Sequence, residues 1–159
     1  MLLLLAIGIV GYLISQKDAP YTKIATVALL SSVLLNGFMN AHFYPELLEY
    51  QGGSNMAAIV QEQQIPVDRI YKISERYSWS LDFYNKKPVQ ITSLDEIANK
   101  SDVWVYATDD ELQQLKQKGV TWDNQITVDQ FRITRLQIKF LNPNTREEKL
   151  NHMHLVHLD

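Results

Sequence analysis

Charged side chains are distributed unevenly along this chain, and this distribution sets the solvent in which each part folds. The first 43 residues contain only three ionised side chains, Lys17, Asp18 and Lys23, and all three lie between two apolar stretches. The second stretch, Ile24 to Phe43, has 20 residues, and at about 1.5 Å per residue it spans the hydrocarbon core of roughly 30 Å. The first stretch, Met1 to Ser15, reaches only about 22 Å by the same rise.

These features predict a membrane helical hairpin over residues 1–43, made of two transmembrane helices of which the first is truncated at its start. A cleaved signal peptide is the alternative, but no basic residue precedes the first apolar run and the next segment is itself long enough to span. The loop Gln16 to Lys23 carries two lysines, whereas the segment after the second helix carries Glu46 and Glu49. The positive-inside rule therefore places the loop in the cytoplasm and residues 44–159 outside.

Two amides lie within the second apolar stretch. Asn36 and Asn40 are four residues apart, so they share one helix face, and in lipid their amides need partners. We expect this face to contact another transmembrane helix or a membrane partner, because amides commonly form hydrogen bonds between helices. A contact with substrate is the alternative. Pro45 is expected to end the helix, just after an interfacial group that consists of His42, Phe43 and Tyr44.

Composition excludes several classes of protein. Residues 1–43 hold two of the 15 basic and one of the 18 acidic residues, so the remaining 116 residues carry a net charge of −4. They offer no basic patch for nucleic acid. The chain has no cysteine, which excludes disulfides, thiol catalysis and thiolate metal ligands. It has neither a phosphate-binding glycine loop nor a Gly-x-Ser-x-Gly motif. The residues therefore identify no catalytic group, no metal site and no cofactor.

Residues 44–159 are long enough for one compact domain with its own apolar interior. The opening segment, Gln51-Gly52-Gly53-Ser54, is linker-like, and Ser54 is expected to cap the next helix. Further on, Trp79 and Phe83 are four residues apart, which predicts a short helix that buries an aromatic face. The densest aromatic region is expected to lie in the core, and stacking on a sugar is the alternative. It consists of Tyr71, Tyr77, Trp79, Phe83 and Tyr84.

Strand and helix alternate through the middle of the domain, as is typical of a parallel sheet. Capping boxes at Ser93–Glu96 and Thr108–Glu111 predict two helices, and Gly119 is expected to stop the second. The acidic run Asp109-Asp110-Glu111 fits the first turn of a capped helix better than an acid-base pair. The strands expected here are 69–73, 89–91 and 102–107.

The pattern changes near the end of the chain. Apolar residues alternate from Thr127 to Phe140, and a partner strand is expected from Leu150 to Leu158, which together predict an antiparallel hairpin. The expected fold is therefore a three-layer α/β domain with a mixed sheet. The last strand is expected to be terminal and exposed, so that its three histidines are incidental rather than metal ligands. They are His152, His154 and His157.

Two segments resemble the C-terminal part of bacterial membrane glycosyltransferases, and are similar to the dolichyl-phosphate-mannose protein mannosyltransferases and the lipid A aminoarabinose transferases. They are His42-Phe43-Tyr44-Pro45-Glu46-Leu47-Leu48-Glu49-Tyr50-Gln51-Gly52-Gly53 and Tyr77-Ser78-Trp79-Ser80-Leu81-Asp82-Phe83-Tyr84-Asn85-Lys86-Lys87-Pro88-Val89. In that family many membrane helices precede this point, and the catalytic acidic residues lie in an early external loop that has no counterpart here. The resemblance therefore transfers no catalytic residue.

The resemblance implies a C-terminal portion of an integral-membrane enzyme in the bacterial inner membrane, with residues 44–159 on the periplasmic side. Its implied partners are membrane lipid, the remaining transmembrane helices and a polyprenyl-phosphate sugar, and the portion alone is expected to be inactive. The candidate substrate-binding residues are aromatic: Tyr44, Tyr50, Trp79 and Tyr84. The alternative is a complete, non-enzymatic binding or scaffold module that is anchored in the membrane and docks to a larger membrane protein.

Overall fold

A computed structural model describes residues 2–15 and 20–159 and divides the chain into two compact units, residues 1–48 and 49–159. The first unit contains helix α1 (Leu2–Ser15), helix α2 (Pro20–Phe38), a π-helical turn (Met39–Phe43) and helix α3 (Tyr44–Leu48). The segment that joins α1 to α2, with the basic loop used to predict orientation, lies partly outside the described residues.

One helix in the described chain is long and apolar enough to cross a membrane. It runs without interruption through α2, the π turn and α3, from Pro20 to Leu48, and has 29 residues. Helix α1 has 14 residues, too few for a span of about 20 residues. Residues of α1 and α2 together line a cavity of about 60 Å³, so the two helices lie side by side. A second membrane crossing by α1 stays a prediction.

The expectation that Pro45 ends this helix is wrong, since the helix continues to Leu48. Proline has no N–H, and its ring clashes with the carbonyl group four residues earlier in an α-helix. The π turn at Met39–Phe43, just before Pro45, changes the hydrogen-bond spacing from four residues to five: the Tyr44 N–H donates to the Met39 carbonyl. Such a turn lets a helix pass a proline with a local change in its hydrogen bonds.

The second unit is an α/β domain built on one five-stranded mixed sheet with the strand order β2-β1-β3-β5-β4. Strands β1, β2 and β3 are parallel, and β5 lies antiparallel between β3 and β4. In chain order the elements are α4 (Gly52–Glu62), β1 (Ile70–Lys72), α5 (Trp79–Tyr84), β2 (Gln90–Ile91), α6 (Leu94–Ile97), β3 (Val103–Thr108), α7 (Asp109–Gln117), β4 (Asn124–Gln130), α8 (Ile138–Leu141) and β5 (Asn151–Leu158). Single 3₁₀ turns occupy Val67–Arg69, Ile133–Arg135 and Glu147–Lys149.

The sheet is covered on both faces, as the three-layer prediction requires. Successive residues of a strand point to opposite faces, and on β3 Tyr106 joins one apolar cluster while Val105 joins the other. Helices α4 and α5 supply the first cluster through Met56 and Leu81, and α6 and α7 supply the second. Both predicted capping boxes are present, and Gly119 follows α7 with a φ of +79°.

The prediction that Gly52 and Gly53 form a linker is wrong, because both are buried in the first turn of α4. A Cβ added to Gly53 would lie 2.7 Å from the Tyr77 carbonyl oxygen, and one added to Gly52 would lie 3.0 Å from the Asp129 carbonyl oxygen. The glycines therefore allow close backbone packing rather than flexibility. Ser54 consequently lies inside the helix and is not its cap.

The end of the domain departs from the predicted hairpin in two ways. Strand β4 ends at Gln130, because the Phe131 N–H donates to the Tyr50 carbonyl and the Phe131 ring stacks on Phe140 at 3.7 Å. The apolar residues that follow form a 3₁₀ turn and α8 instead of a strand. The predicted partner strand is confirmed as β5, but it is central in the sheet and not exposed, and His154 within it is only 6% exposed.

Candidate functional site

The position of helix α5 depends on a buried charge at the end of β1. Lys72 is 2% exposed, and its ammonium donates to the Asp82 carboxylate at 2.5 Å, to the Ser78 hydroxyl at 3.1 Å and to the Glu75 carboxylate at 3.3 Å. The other carboxylate oxygen of Asp82 accepts the Val89 N–H at 2.8 Å. Buried charges are stable when paired and fully hydrogen-bonded in this way, so Asp82 turns toward the sheet.

The aromatic face of α5 consequently points outward. Trp79 is 78% exposed, Phe83 is 75% exposed and Tyr84 is 51% exposed, whereas Leu81 is fully buried. The prediction that this helix buries its aromatic face is therefore wrong. The rings of Phe83 and Tyr84 meet edge to face with centroids 5.3 Å apart. Three exposed aromatic side chains on one short helix form a patch of the kind that marks an interaction site, here called the α5 patch.

The α5 patch presents flat apolar surfaces with a polar edge. Trp and Tyr offer a large contact area and one hydrogen-bonding group each, which suits ligands that have an apolar face and polar margins. A sugar ring has that character, because its C–H groups lie on its faces and its hydroxyl groups lie at its rim. An exposed aromatic surface of this kind suits stacking on a sugar ring.

The same lysine network excludes one catalytic interpretation. A serine beside a lysine is the arrangement of a nucleophile and its base, but such a base must be neutral to accept a proton. The Lys72 ammonium is the donor in three hydrogen bonds, two of them to carboxylates, and Ser78 is fully buried. The pair is structural. The sequence gives only a modest signal that Lys72 is buried: on a strand it shares a face with Ile70, a core residue.

The other two sequence-predicted aromatic residues, Tyr44 and Tyr50, do not belong to helix α5. Tyr50 packs within the domain, where its hydroxyl accepts a hydrogen bond from Arg146 at 2.9 Å and its ring meets Phe140 edge to face at 5.1 Å. Tyr44 belongs to the helical unit and is 48% exposed. Of the four candidates, Trp79 and Tyr84 lie on the same helix, α5. Roles for Tyr44 and Tyr50 in substrate binding stay predictions.

The two membrane-helix amides find partners within their own helix. The Nδ2 of Asn36 donates to the Ser32 carbonyl at 2.9 Å, and the Nδ2 of Asn40 donates to the Asn36 carbonyl at 2.8 Å. Both residues are exposed on the helix surface. Their donors are thereby satisfied one turn back, which lowers the cost of these amides in lipid. A contact with another helix stays a prediction.

A crevice lies at the carboxyl ends of β1 and β3, where the connections leave in opposite directions. Ligands commonly bind at such switch points of α/β sheets. Its lining includes Arg76, Asp110 and His152, but its volume is about 130 Å³, well below the roughly 300–1,000 Å³ of typical ligand pockets. A sugar ring does not fit inside it.

His154 connects three elements of the domain. Its Nε2 lies 2.8 Å from the Asp109 carboxylate at the start of α7, and its Nδ1 lies 2.9 Å from the Thr127 hydroxyl and 3.1 Å from the Gln125 amide on β4. Asp109 therefore lies in the first turn of α7 and also bonds to His154 on β5. Both roles are structural, as the preferred interpretation of the acidic run predicts. As predicted for a strand, His152 lies on the same face as His154, while His157 lies on the other face against Trp104.

His157 lies between carboxylates at the opposite end of β5. Its Nδ1 is 2.8 Å from Asp123 and its Nε2 is 3.5 Å from Asp102. The hydrogen bond to Asp123 raises the pKa of His157, against the effect of burial. The same bond lowers the pKa of Asp123. Ligand atoms of Asp123, His157 and Asp159 also lie within 4.8 Å of one another, but a proton already links the first two.

Comparison with known proteins identifies no relative: no protein-family model, no curated protein and no solved structure matches this chain.

Proposed function

We propose that this chain is the C-terminal portion of an integral-membrane glycosyltransferase that moves a sugar from a polyprenyl-phosphate carrier to an acceptor. The catalytic loop is not part of the chain. The helix from Pro20 to Leu48 anchors the portion beside the remaining transmembrane helices, and the α/β domain holds the acceptor or the departing sugar at the membrane surface. The two segments that resemble such transferases support this proposal.

The proposal includes a location and partners. The anchor lies in the inner membrane of a bacterium, the domain lies on the periplasmic side, and the partners are membrane lipid, the other helices of the enzyme and the polyprenyl-phosphate sugar. The helix from Pro20 to Leu48, which is long and apolar enough to span a membrane, supports the anchor. Asn36 and Asn40 on that helix are proposed to face the neighbouring helices, where amides commonly form interhelical bonds.

The observation that carries the proposal is the exposure of Trp79 and Phe83. A helix of a soluble domain normally turns such side chains inward, because each buries a large apolar area. Here the inner face is taken by Leu81 and Asp82, and the aromatic residues remain in solvent. An exposed aromatic pair within a segment that resembles sugar transferases supports a sugar-binding surface.

The test is sugar transfer by the product of the complete reading frame, in membranes supplied with a radiolabelled polyprenyl-phosphate sugar and acceptor. Replacement of Trp79 and Phe83 by Ala is expected to raise the KM for the acceptor about tenfold with kcat nearly unchanged, since two aromatic contacts of about 0.5–1.5 kcal/mol each are lost. The matched control is Ile138→Ala, which removes another highly exposed apolar side chain. Transfer that is absent, or that is unaffected by both replacements, contradicts the proposal.

The second candidate is a non-enzymatic, membrane-anchored periplasmic binding or scaffold module. It is favoured by the acidic run of α7, whose carboxylates Asp109 and Glu111 are engaged in structural hydrogen bonds. The DNA upstream of the Met1 codon discriminates between the two. An open frame that encodes further hydrophobic helices and an acidic external loop supports the transferase, whereas a promoter and ribosome-binding site directly before Met1 support the module.

A further inference from the structure

A groove crosses the surface of the domain between the C-terminal ends of α4 and α5. Its volume is about 560 Å³, within the range of roughly 300–1,000 Å³ typical of small-molecule sites. Its apolar floor includes Val60 and Ile65, which are buried, and Val67, which is partly buried. The polar groups at its rim are three amides, one phenol and one ammonium, from Gln61, Gln64, Asn85, Tyr84 and Lys86.

Asn85 is the most informative residue of this groove. Both polar atoms of its side chain, Oδ1 and Nδ2, are buried and have no hydrogen-bond partner among the described residues. Buried polar groups are nearly always paired, so an unpaired amide in a native fold needs an explanation. Asn85 is one of the residues that line the groove. A ligand that both donates and accepts hydrogen bonds satisfies the two atoms together.

Two residues at the rim of the groove have a left-handed backbone conformation. Gln64 follows α4 and Lys86 follows α5, and each has a φ of +56°. This position after a helix is usually glycine, because other side chains are strained there. Tyr77 and Asp102 have the same conformation outside the groove, so only the groove and Asn85 indicate a ligand.

We propose that this groove binds the ring of a neutral sugar. A pair of neighbouring sugar hydroxyls can accept from the Nδ2 of Asn85 and donate to its Oδ1, because each hydroxyl is both a donor and an acceptor. Gln64 supplies a further amide for the remaining hydroxyls, whereas the Nε2 of Gln61 already donates to the Tyr84 carbonyl at 2.8 Å and leaves its Oε1 as an acceptor. The exposed ring of Tyr84 offers an apolar surface. The choice of a sugar rests on the proposed function, whereas the existence of a binding site rests on the groove alone.

The experiment is saturation-transfer NMR on the full chain in phosphatidylcholine nanodiscs, which avoids sugar-based detergents. The probes are the methyl glycosides of mannose, galactose, arabinose and N-acetylglucosamine, with sorbitol as an acyclic control and inorganic phosphate as an anionic competitor. We expect at least one glycoside to bind with a Kd on the order of 1 mM. Sorbitol is expected not to bind, and phosphate is expected not to displace the sugar.

Two variants separate a binding role from a structural one. Asn85→Ala removes the unpaired amide, so it is expected to weaken sugar binding about tenfold while the Tm stays the same or rises. Gln64→Gly relieves the left-handed strain, so it is expected to raise the Tm by a few degrees and also to weaken binding. The matched control, Gln113→Ala, changes an exposed amide on α7, and binding is expected to be unchanged.

Three results overturn the inference: no saturation transfer to any glycoside, unchanged sugar binding by both Asn85→Ala and Gln64→Gly, or displacement of the sugar by phosphate. Sugar binding in nanodiscs needs no catalytic loop. Binding without any transfer by the complete reading frame therefore refutes the proposed function and leaves the groove site intact. Sugar transfer by the complete reading frame without sugar binding in nanodiscs refutes the groove site and leaves the proposed function intact.

Discussion

At the scale of single residues, Gly53 shows how much of this domain depends on one missing side chain. The Tyr77 carbonyl that it approaches also accepts the hydroxyl of buried Tyr106 at 3.1 Å, so α4, the loop before α5 and strand β3 meet at one atom. Burial raises the pKa of that tyrosine hydroxyl. The hydroxyl therefore remains a donor across the physiological pH range.

Gly53→Ala is expected to lower the free energy of unfolding by about 1–3 kcal/mol, because its Cβ has to displace a backbone oxygen rather than a flexible side chain. Urea denaturation followed by circular dichroism measures the change. Ser54→Ala is the matched control in the same helical turn, and it is expected to change stability by less than about 0.5 kcal/mol. Equal stability of the two variants contradicts the close packing described for Gly53.

His157 gives a prediction about pH. Its pKa is raised above the ordinary value of 6.5 by the hydrogen bond to Asp123. The pair therefore contributes stability that is fully present below pH 6.5 and is lost as the pH rises through the pKa of His157 in the folded protein. NMR titration of the ring proton is expected to give a pKa above 6.5 in the native chain. Asp123→Asn is expected to return it toward 6.5, and an unchanged titration contradicts the assignment.

At the scale of elements, the buried ion pair decides where α5 lies and which of its faces is exposed. Asp82→Asn leaves the buried Lys72 ammonium with only the more distant carboxylate of Glu75, at 3.3 Å, and is expected to cost about 3–5 kcal/mol of stability. Lys72→Met combined with Asp82→Leu removes both charges and is expected to recover most of that loss. The measurement is the free energy of unfolding in urea, with tryptophan emission reporting the exposure of Trp79.

The control for this prediction is an ion pair that lies at the surface. Lys118 and Asp95 form one, with side chains that are 40% and 84% exposed. Asp95→Asn is expected to cost less than about 1 kcal/mol, since exposed pairs contribute little. If Asp82→Asn costs no more than Asp95→Asn, the ion pair does not hold α5 in place.

The helices and strands show which features follow from local sequence signals and which depend on packing against another element. The capping boxes, the apolar strand β3 and the stop at Gly119 are local signals, and the structure confirms them. The spacing of Trp79 and Phe83 predicts a shared face, but it does not say which face is buried, because that depends on Lys72 from another strand. The prediction that the histidines of β5 are exposed is wrong for a similar reason: chain order does not reveal that the last strand inserts between β3 and β4, inside the sheet.

The helix from Pro20 to Leu48 gives the same lesson in the first unit. Hydropathy predicts the segment, and the structure confirms one helix of sufficient length. Proline rules predict an end at Pro45, yet a single π turn removes the conflict and extends the helix. For the site, the sequence supplies Trp79 and Tyr84 as candidates, whereas the unpaired amide of Asn85 becomes visible only when burial and partners are known.

At the scale of the whole molecule, the proposed function requires the domain and the loop between α1 and α2 to lie on opposite sides of the membrane. The charge difference that predicts this orientation is small, two lysines against two glutamates, so a direct measurement is needed. The chain has no cysteine, and single cysteines introduced at Gln63 and Gln16 therefore report their own positions without background. Gln63 is exposed, just after α4.

An impermeant thiol reagent applied to intact cells is expected to label Gln63→Cys, because the domain is proposed to lie outside. Gln16→Cys is expected to react only after the membrane is permeabilised, since the spanning helix separates the two positions. Labelling of Gln16→Cys alone reverses the orientation and places the domain beside cytoplasmic sugar donors, where a lipid carrier is not needed. Labelling of both in intact cells removes the membrane crossing between them, and with it the proposed membrane anchor.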